Sequence, residues 1–162
     1  MTAQLKQRKC FGFSLIELVI VVVIIGIIGA IAIPRLSRGA EGASDSALAG
    51  DLAVMRNALD LYATEHKGTY PAVATFEAQL TQYTDESGNT SATKTGAFIY
   101  GPYIRKVPAL KATSSVDGAT GSSDVAAASA DDIGWVYNAT TGAIVANTGT
   151  ETDVSGKLYT DY

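Results

Sequence analysis

The residue with the most conspicuous chemistry is Glu17, because of where it stands. It is the only charge in the 21 residues from Phe13 to Ile33, FSLIELVIVVVIIGIIGAIAI. As a helix that run is about 32 Å long at about 1.5 Å per residue, the thickness of a bilayer's hydrocarbon core. An ionisable group inside hydrocarbon costs roughly 2.5–3.5 kcal/mol on insertion scales, so it calls for a function and a partner. The other candidates are weaker. His66, the single histidine, could be imagined with nearby Ser and Asp residues as a hydrolase site. It stands at an expected helix C-terminus, where the dipole favours a His, and no nucleophile elbow accompanies it. Asp117, Asp124, Asp131 and Asp132 offer oxygen ligands of the kind calcium takes. They lack an evident ligand spacing, and acids in a Ser/Gly-rich loop are ordinarily solvated. Cys10 is the only cysteine, which excludes a disulfide framework and a Cys-rich zinc site. The expectation is a protein that is not an enzyme and has no resident metal, with calcium the one cofactor left open.

Charge points the same way. Twelve basic residues stand against sixteen acids in 162 residues, a net charge of −4, which argues against a broad nucleic-acid-binding surface. The exception is the start of the chain: MTAQLKQRKCFG carries Lys6, Arg8 and Lys9 and no acid. A basic flank before an apolar run places that end on the cytoplasmic side of a membrane.

Three readings of this start compete. A secretory signal peptide should have a shorter apolar core, no acid and a small-residue cleavage site; Gly29-Ala30 is the only hint of one. A plain signal anchor accounts for everything except Glu17. The third reading rests on Gly12-Phe13-Ser14-Leu15-Ile16-Glu17-Leu18, followed by the aliphatic run and Pro34. This segment of about 35 residues resembles the N-terminal processing and methylation motif of the type IV pilin-like and pseudopilin family. The resemblance implies a leader, residues 1–12, cut between Gly12 and Phe13 by a prepilin peptidase, and N-methylation of Phe13. It places Glu17 at the family's acidic position and Pro34 at its helix-kinking proline, both as assembly residues. Cleavage would create an amine at the tip of an apolar helix. In a bundle of such helices, one subunit's Glu17 can pair with its neighbour's amine and so set the axial register. Removing either partner leaves an unpaired buried charge. With the leader gone, the basic residues fall to nine, the sixteen acids stay, the net charge reaches −7 and no cysteine remains.

The elements that must position this chemistry follow from periodicity. Leu48, Leu52, Met55, Leu59 and Tyr62 recur at spacings of four and three, a helical stripe with Asp51, Arg56, Asp60 and Glu65 on other faces. Gly68 supplies a stop. One helix is therefore expected from about Phe13 to about His66, apolar first and amphipathic after, with Pro34 removing the hydrogen bond to Ala30. Gly26 and Ala30 form a small-xxx-small pair suited to close helix approach. Beyond it, Thr75 to about Thr84 reads as a short helix carrying Phe76, Leu80 and Tyr83. Residues 85–96 read as loop, and Phe98–Ile104 as aromatic and β-branched residues around a turn. Ile133–Asn138 and Ala143–Asn147 read as two strands joined at 139–142. Ala112 to Ala130, with 15 of 19 residues from Ala, Gly, Ser and Thr, reads as a flexible surface loop. The stretch Tyr100–Pro108 and Gly68-Thr69-Tyr70-Pro71 are similar to parts of the major pseudopilins, and the acidic loop lies near the place where many pseudopilins bind calcium.

The expected fold is α+β: a long helix, hydrophobic then amphipathic, packed on a small antiparallel sheet, pilin-like. Three regions are expected: leader 1–12, transmembrane and assembly helix 13–36, and extracytoplasmic head 37–162. The resemblance implies a filament subunit of a type IV pilus or a type II secretion pseudopilus. Its implied partners are copies of itself, prepilin peptidase, an inner-membrane assembly platform and minor pilins or pseudopilins, and no nucleic acid. Its implied place is the bacterial inner membrane, N-terminus cytoplasmic and head outside, and then the filament. The alternative is a monomeric, membrane-anchored extracytoplasmic binding domain, which has no need of processing at Gly12.

Overall fold

The computed structural model describes residues 13–111 and 119–162. The chain divides into two compact units, one ending at Arg38 and the other spanning Gly39–Tyr162. One helix, α1 (Leu15–Glu65), contributes to both and is unbroken through Pro34.

In the first unit, Leu15–Ile33 has a mean hydropathy of 3.1 and none of it is buried. Among the described residues it is the one helix long and apolar enough to cross a membrane, judged by length and composition. Helical hydrogen bonding is what such a run requires in lipid, where no water can satisfy its backbone.

In the second unit, α1 buries the stripe expected of it. Leu48, Leu52, Met55, Leu59 and Tyr62 are each at most 2% exposed. Burying each large side chain contributes about 1.5–3 kcal/mol. The helix closes on a 6→1 bond, Gly68 N–H to the Ala63 carbonyl at 2.7 Å. Lys67 (φ 59°), one residue earlier than expected, takes the left-handed cap position, and Gly68 follows at φ 82°.

After α1 the chain makes a short 3₁₀ turn (Val73–Thr75) and α2 (Phe76–Thr81). Phe76 and Leu80 point into the core as expected, whereas Tyr83 has already left the helix. It pairs in β1 (Tyr83–Thr84) with β2 (Thr90–Ser91), antiparallel. The expected loop at 85–96 is largely irregular, with Thr90–Ser91 the return strand of a small hairpin. Thr84 bridges onward to Tyr100.

The second sheet runs in the order β3 (Val125–Ala126), β4 (Trp135–Tyr137), β5 (Ile144–Ala146). β4 and β5 form the expected hairpin, Trp135 opposite Ala146 and Tyr137 opposite Ile144. β3 lies parallel to β4, so the sheet is mixed instead of wholly antiparallel. This corrects the reading of 112–130 as surface loop, residues 112–118 lying outside the described residues. Ala119 is fully buried in the core, Leu110 exchanges two backbone hydrogen bonds with Gly121 and Ser122, and Val125–Ala126 is strand. Small side chains here allow close packing: a Cβ on Gly134 would sit 2.3 Å from the Ser122 carbonyl oxygen. The core gathers the α1 stripe with Phe76, Leu80, Leu110, Trp135, Tyr137, Ile144 and Tyr159. Trp135 is fully buried and donates its indole N–H to the Pro108 carbonyl at 2.8 Å.

Three tight turns share one design. Asp85, Asn138 and Asp153 each accept two downstream backbone N–H groups on a side-chain oxygen. Each turn is completed by a left-handed glycine, Gly88, Gly142 or Gly156, with φ between 73° and 86°. Asx side chains and glycine suit these positions for the reasons general to turns.

Candidate functional site

Of the expected processing and assembly residues, Phe13 and Glu17 stand near each other at the N-terminal end of α1. Phe13 is 83% exposed. The first helical bond runs from Leu18 N–H to the Ser14 carbonyl at 3.2 Å, which makes Ser14 the N-cap. Glu17 is then the third helical residue, and its carboxylate accepts the Ser14 backbone N–H at 2.9 Å. This is the returning arm of a capping box, and it satisfies one donor that a helix start otherwise leaves open. Glu17 therefore has a local role besides the expected one. The signal for it was present in the spacing Ser14-x-x-Glu17 before an apolar run. A carboxylate has about four acceptor positions, so holding one N–H leaves room for a neighbour's cation. Its location in the first turn also sets it at the positive end of the helix dipole. Gly12, the other side of the expected cleavage site, lies outside the described residues. Pro34 lies within α1, well away from these residues in sequence.

The head holds α1 through polar side chains flanking the buried stripe. Asp45, 6% exposed, accepts the Tyr159 hydroxyl at 2.6 Å and the Val154 N–H at 3.1 Å. Lys111 donates to Asp51 at 2.8 Å. Arg56 donates to the Ile144 carbonyl at 3.2 Å and to the Tyr162 backbone oxygen. Tyr103 donates to Glu65 at 2.6 Å, and burial, with that carboxylate, pushes the Tyr103 phenol well above its ordinary range. Asp51, Arg56 and Glu65, expected simply to face away from the core, thus each tie a distant segment to the helix, while Asp60 is exposed. At the end of the chain, Tyr162 donates to Asp153. That bond, with those from Ser155 and Lys157, holds the Asp153 carboxyl well below the usual carboxylate range. The Tyr162 phenol is pushed up to about 12 by the same contact.

The remaining candidates do not converge. His66 is buried and hydrogen-bonded through both ring nitrogens, a correction to its reading as a simple dipole contact. Asp124, Asp131 and Asp132 are exposed, Asp117 is outside the described residues, and among the described residues no three His, Cys, Asp or Glu side chains group to hold a metal. A cleft of about 470 Å³ runs between Val73–Ala78 and Ser123–Val125 and is open to solvent.

Comparison with known proteins agrees with the N-terminal geometry. Residues 7–33 match the family model of the prokaryotic N-terminal methylation motif. The chain therefore carries the prepilin-type motif of type IV pilins and pseudopilins, a motif of structural proteins, and the match covers both Glu17 and the apolar half of α1. No curated protein and no solved structure matches the chain.

Proposed function

We propose that this protein is a structural subunit of a type IV pilus-like or type II secretion pseudopilus filament, and not an enzyme. The observation that carries the reading is the motif at residues 7–33, which includes Glu17 in the capped first turn of α1 and a helical run whose aliphatic side chains are exposed among the described residues. In this reading a prepilin peptidase removes residues 1–12 and Phe13 is N-methylated. Before assembly the apolar half of α1 lies in the inner membrane, with the leader cytoplasmic and the head outside. An assembly platform then feeds subunits into a filament with minor pilins or pseudopilins. Helices pack on one another through the aliphatic face, and Pro34 with the neighbouring glycines lets α1 adjust as they do. Glu17 keeps the Ser14 N–H and accepts the neighbour's new amine, a charge-assisted bond that offsets the desolvation of both groups. No metal or cofactor has a part in this mechanism.

The test is intact-mass analysis of protein extracted from membranes and from sheared filaments. Loss of the first 12 residues and gain of one methyl group are expected, with the chain present in the filament fraction. A full-length chain in cells with active prepilin peptidase overturns the processing step. A processed chain that never enters filaments favours a monomeric anchored domain.

A further inference from the structure

The two edges of the three-stranded sheet have different surroundings. The bonds from Asn138 to Ala143 and from Asn147 to Gly134 fix which residues of β5 face β4, and Ile144 turns its carbonyl away. That carbonyl accepts Arg56, and the 3₁₀ turn Tyr159–Asp161 lies against the same strand. At the other edge, Trp135 donates to the Asp124 carbonyl, and Val125 is in register with Trp135. Alternate residues of a parallel strand turn their backbone groups to the neighbour, so Asp124 and Ala126 face β4 and Val125 faces away. The outward N–H and carbonyl of Val125 have no hydrogen-bond partner among the described residues. An open strand edge is a ready template for another extended chain.

This open edge borders the cleft of about 470 Å³. Val125 and Ile133 line one side of it, Val73 and Ala78 the other, and Asp124 and Glu77, both exposed, add one carboxylate to each side. No Lys or Arg lines it among the described residues. Asp131 and Asp132, exposed just before Ile133, add to the negative charge. A strand laid along Val125 thus finds backbone partners, small aliphatic surface for its side chains, and carboxylates that call for cations. A second copy of the same edge is a poor occupant, because it brings further carboxylates against Asp124 and Glu77.

We propose that the β3 edge is a docking site for an extended peptide of another protein, one that carries Lys or Arg beside small aliphatic residues. The peptide adds a strand next to β3 and bonds to the N–H and carbonyl of Val125. It seats an aliphatic side chain between Val73 and Val125 and sets its cations against Glu77 and Asp124. The site lies wholly in the head and does not rest on the filament reading.

The probe is a fluorescein-labelled peptide alternating lysine with valine, titrated by fluorescence anisotropy into the full-length protein in micelles of an uncharged detergent. Saturable binding is expected, with slowed hydrogen exchange at the Val125 amide, and absence of binding overturns the site. Methylating the peptide's backbone nitrogens keeps its charge and removes its donors. Affinity should then fall about tenfold, the equivalent of one or two net backbone hydrogen bonds. Unchanged affinity would mean attraction of charge alone and overturns the docking edge. Glu77→Gln combined with Asp124→Asn should weaken binding by a similar factor, and a peptide alternating glutamate with valine should not bind. Val125→Pro removes the outward N–H while keeping the bonds to β4, as proline is tolerated on an edge strand. It should lose the peptide, and full binding by it overturns the proposal. If Val125→Pro does not fold, the methylated peptide decides. Self-association of the protein that the peptide displaces overturns the choice of occupant in favour of a second copy.

Discussion

The two halves of α1 belong to one helix and have opposite surroundings. From Leu15 to Ile33 every large aliphatic side chain is exposed, Leu15 at 79% and Ile33 at 71%. From Leu48 to Tyr62 the apolar stripe is at most 2% exposed. The polar residues differ as well. The head half carries Asp45, Asp51, Arg56 and Glu65, each bonded to a segment far away in sequence. The apolar half carries Glu17, whose partner in the chain is three residues away. A helix face becomes buried within a chain only when other segments are fastened over it. Among the described residues no segment is fastened over Leu15–Ile33.

The sharpest way to break this comparison is at Glu17. On the proposed assembly, Glu17→Val removes a charge from the membrane-spanning run, so the variant should insert in the membrane at least as well as wild type. It should nonetheless lose most of its yield in sheared filaments, because the neighbour's amine has no partner. Membrane fractionation and filament yield measured together decide it, and normal incorporation sinks the pairing mechanism. Processing between Gly12 and Phe13 should survive the change.

In the head half the expected loss is of folding. Leu52→Ala should cost about 2–5 kcal/mol by denaturant titration, the range for a fully buried leucine. Val22→Ala, in the apolar half, should leave the head's stability unchanged. The head should fold without the apolar half altogether: a chain shortened to begin at Ser37 should be soluble, monomeric and cooperative, with Trp135 shielded from quenchers. An aggregated product would mean that the fasteners on α1 are insufficient.

A smaller effect is expected at a turn. A Cβ on Gly142 would lie 2.3 Å from the Tyr70 ring, and the residue has φ 73°. Gly142→Ala should therefore destabilise the head by about 1–3 kcal/mol, the cost typical of a strained left-handed residue. Gly156, also left-handed, has nothing near its Cβ position, so Gly156→Ala should cost less.

The smallest effect is in acid. The Asp153 carboxyl titrates below its ordinary value because Tyr162 and Ser155 donate to it. A depressed carboxylate contributes stability that is present above the unfolded value of about 3.9 and is lost as pH falls through the folded one. Wild type should thus be modestly more stable than Asp153→Asn at pH 5. The difference should decline only in stronger acid, as followed by thermal melts across that range. A difference that rises as pH falls would contradict the assignment.

Much of this comparison could be read before any coordinates. Lipid-length hydrophobicity needs only composition over consecutive residues, and the stripe from Leu48 to Tyr62 needs only a period of 3.6. Glu17 stood out for the same local reason, and its capping arm was available from Ser14-x-x-Glu17 to a reading that weighed hydrogen bonds as well as charge. The Trp135–Ala146 hairpin followed from two β-branched and aromatic runs around a turn. What failed was where small residues concealed a tertiary role. The Ala, Ser and Gly of 119–126 have the composition of a solvated loop, yet Ala119 is buried and β3 pairs with β4.

Local order along the chain was therefore enough to determine that α1 exists, where it is apolar, and which residues begin it. Whether a given face of α1 is covered, which segment each of Asp45, Arg56 and Glu65 grips, and why His66 is buried were decided by tertiary structure alone. Hydrogen bonds spanning 38 to 114 residues join groups whose types are visible in the sequence but whose meeting is not. Pattern reports the environment a residue prefers, while the identity of its partner depends on how distant segments pack together.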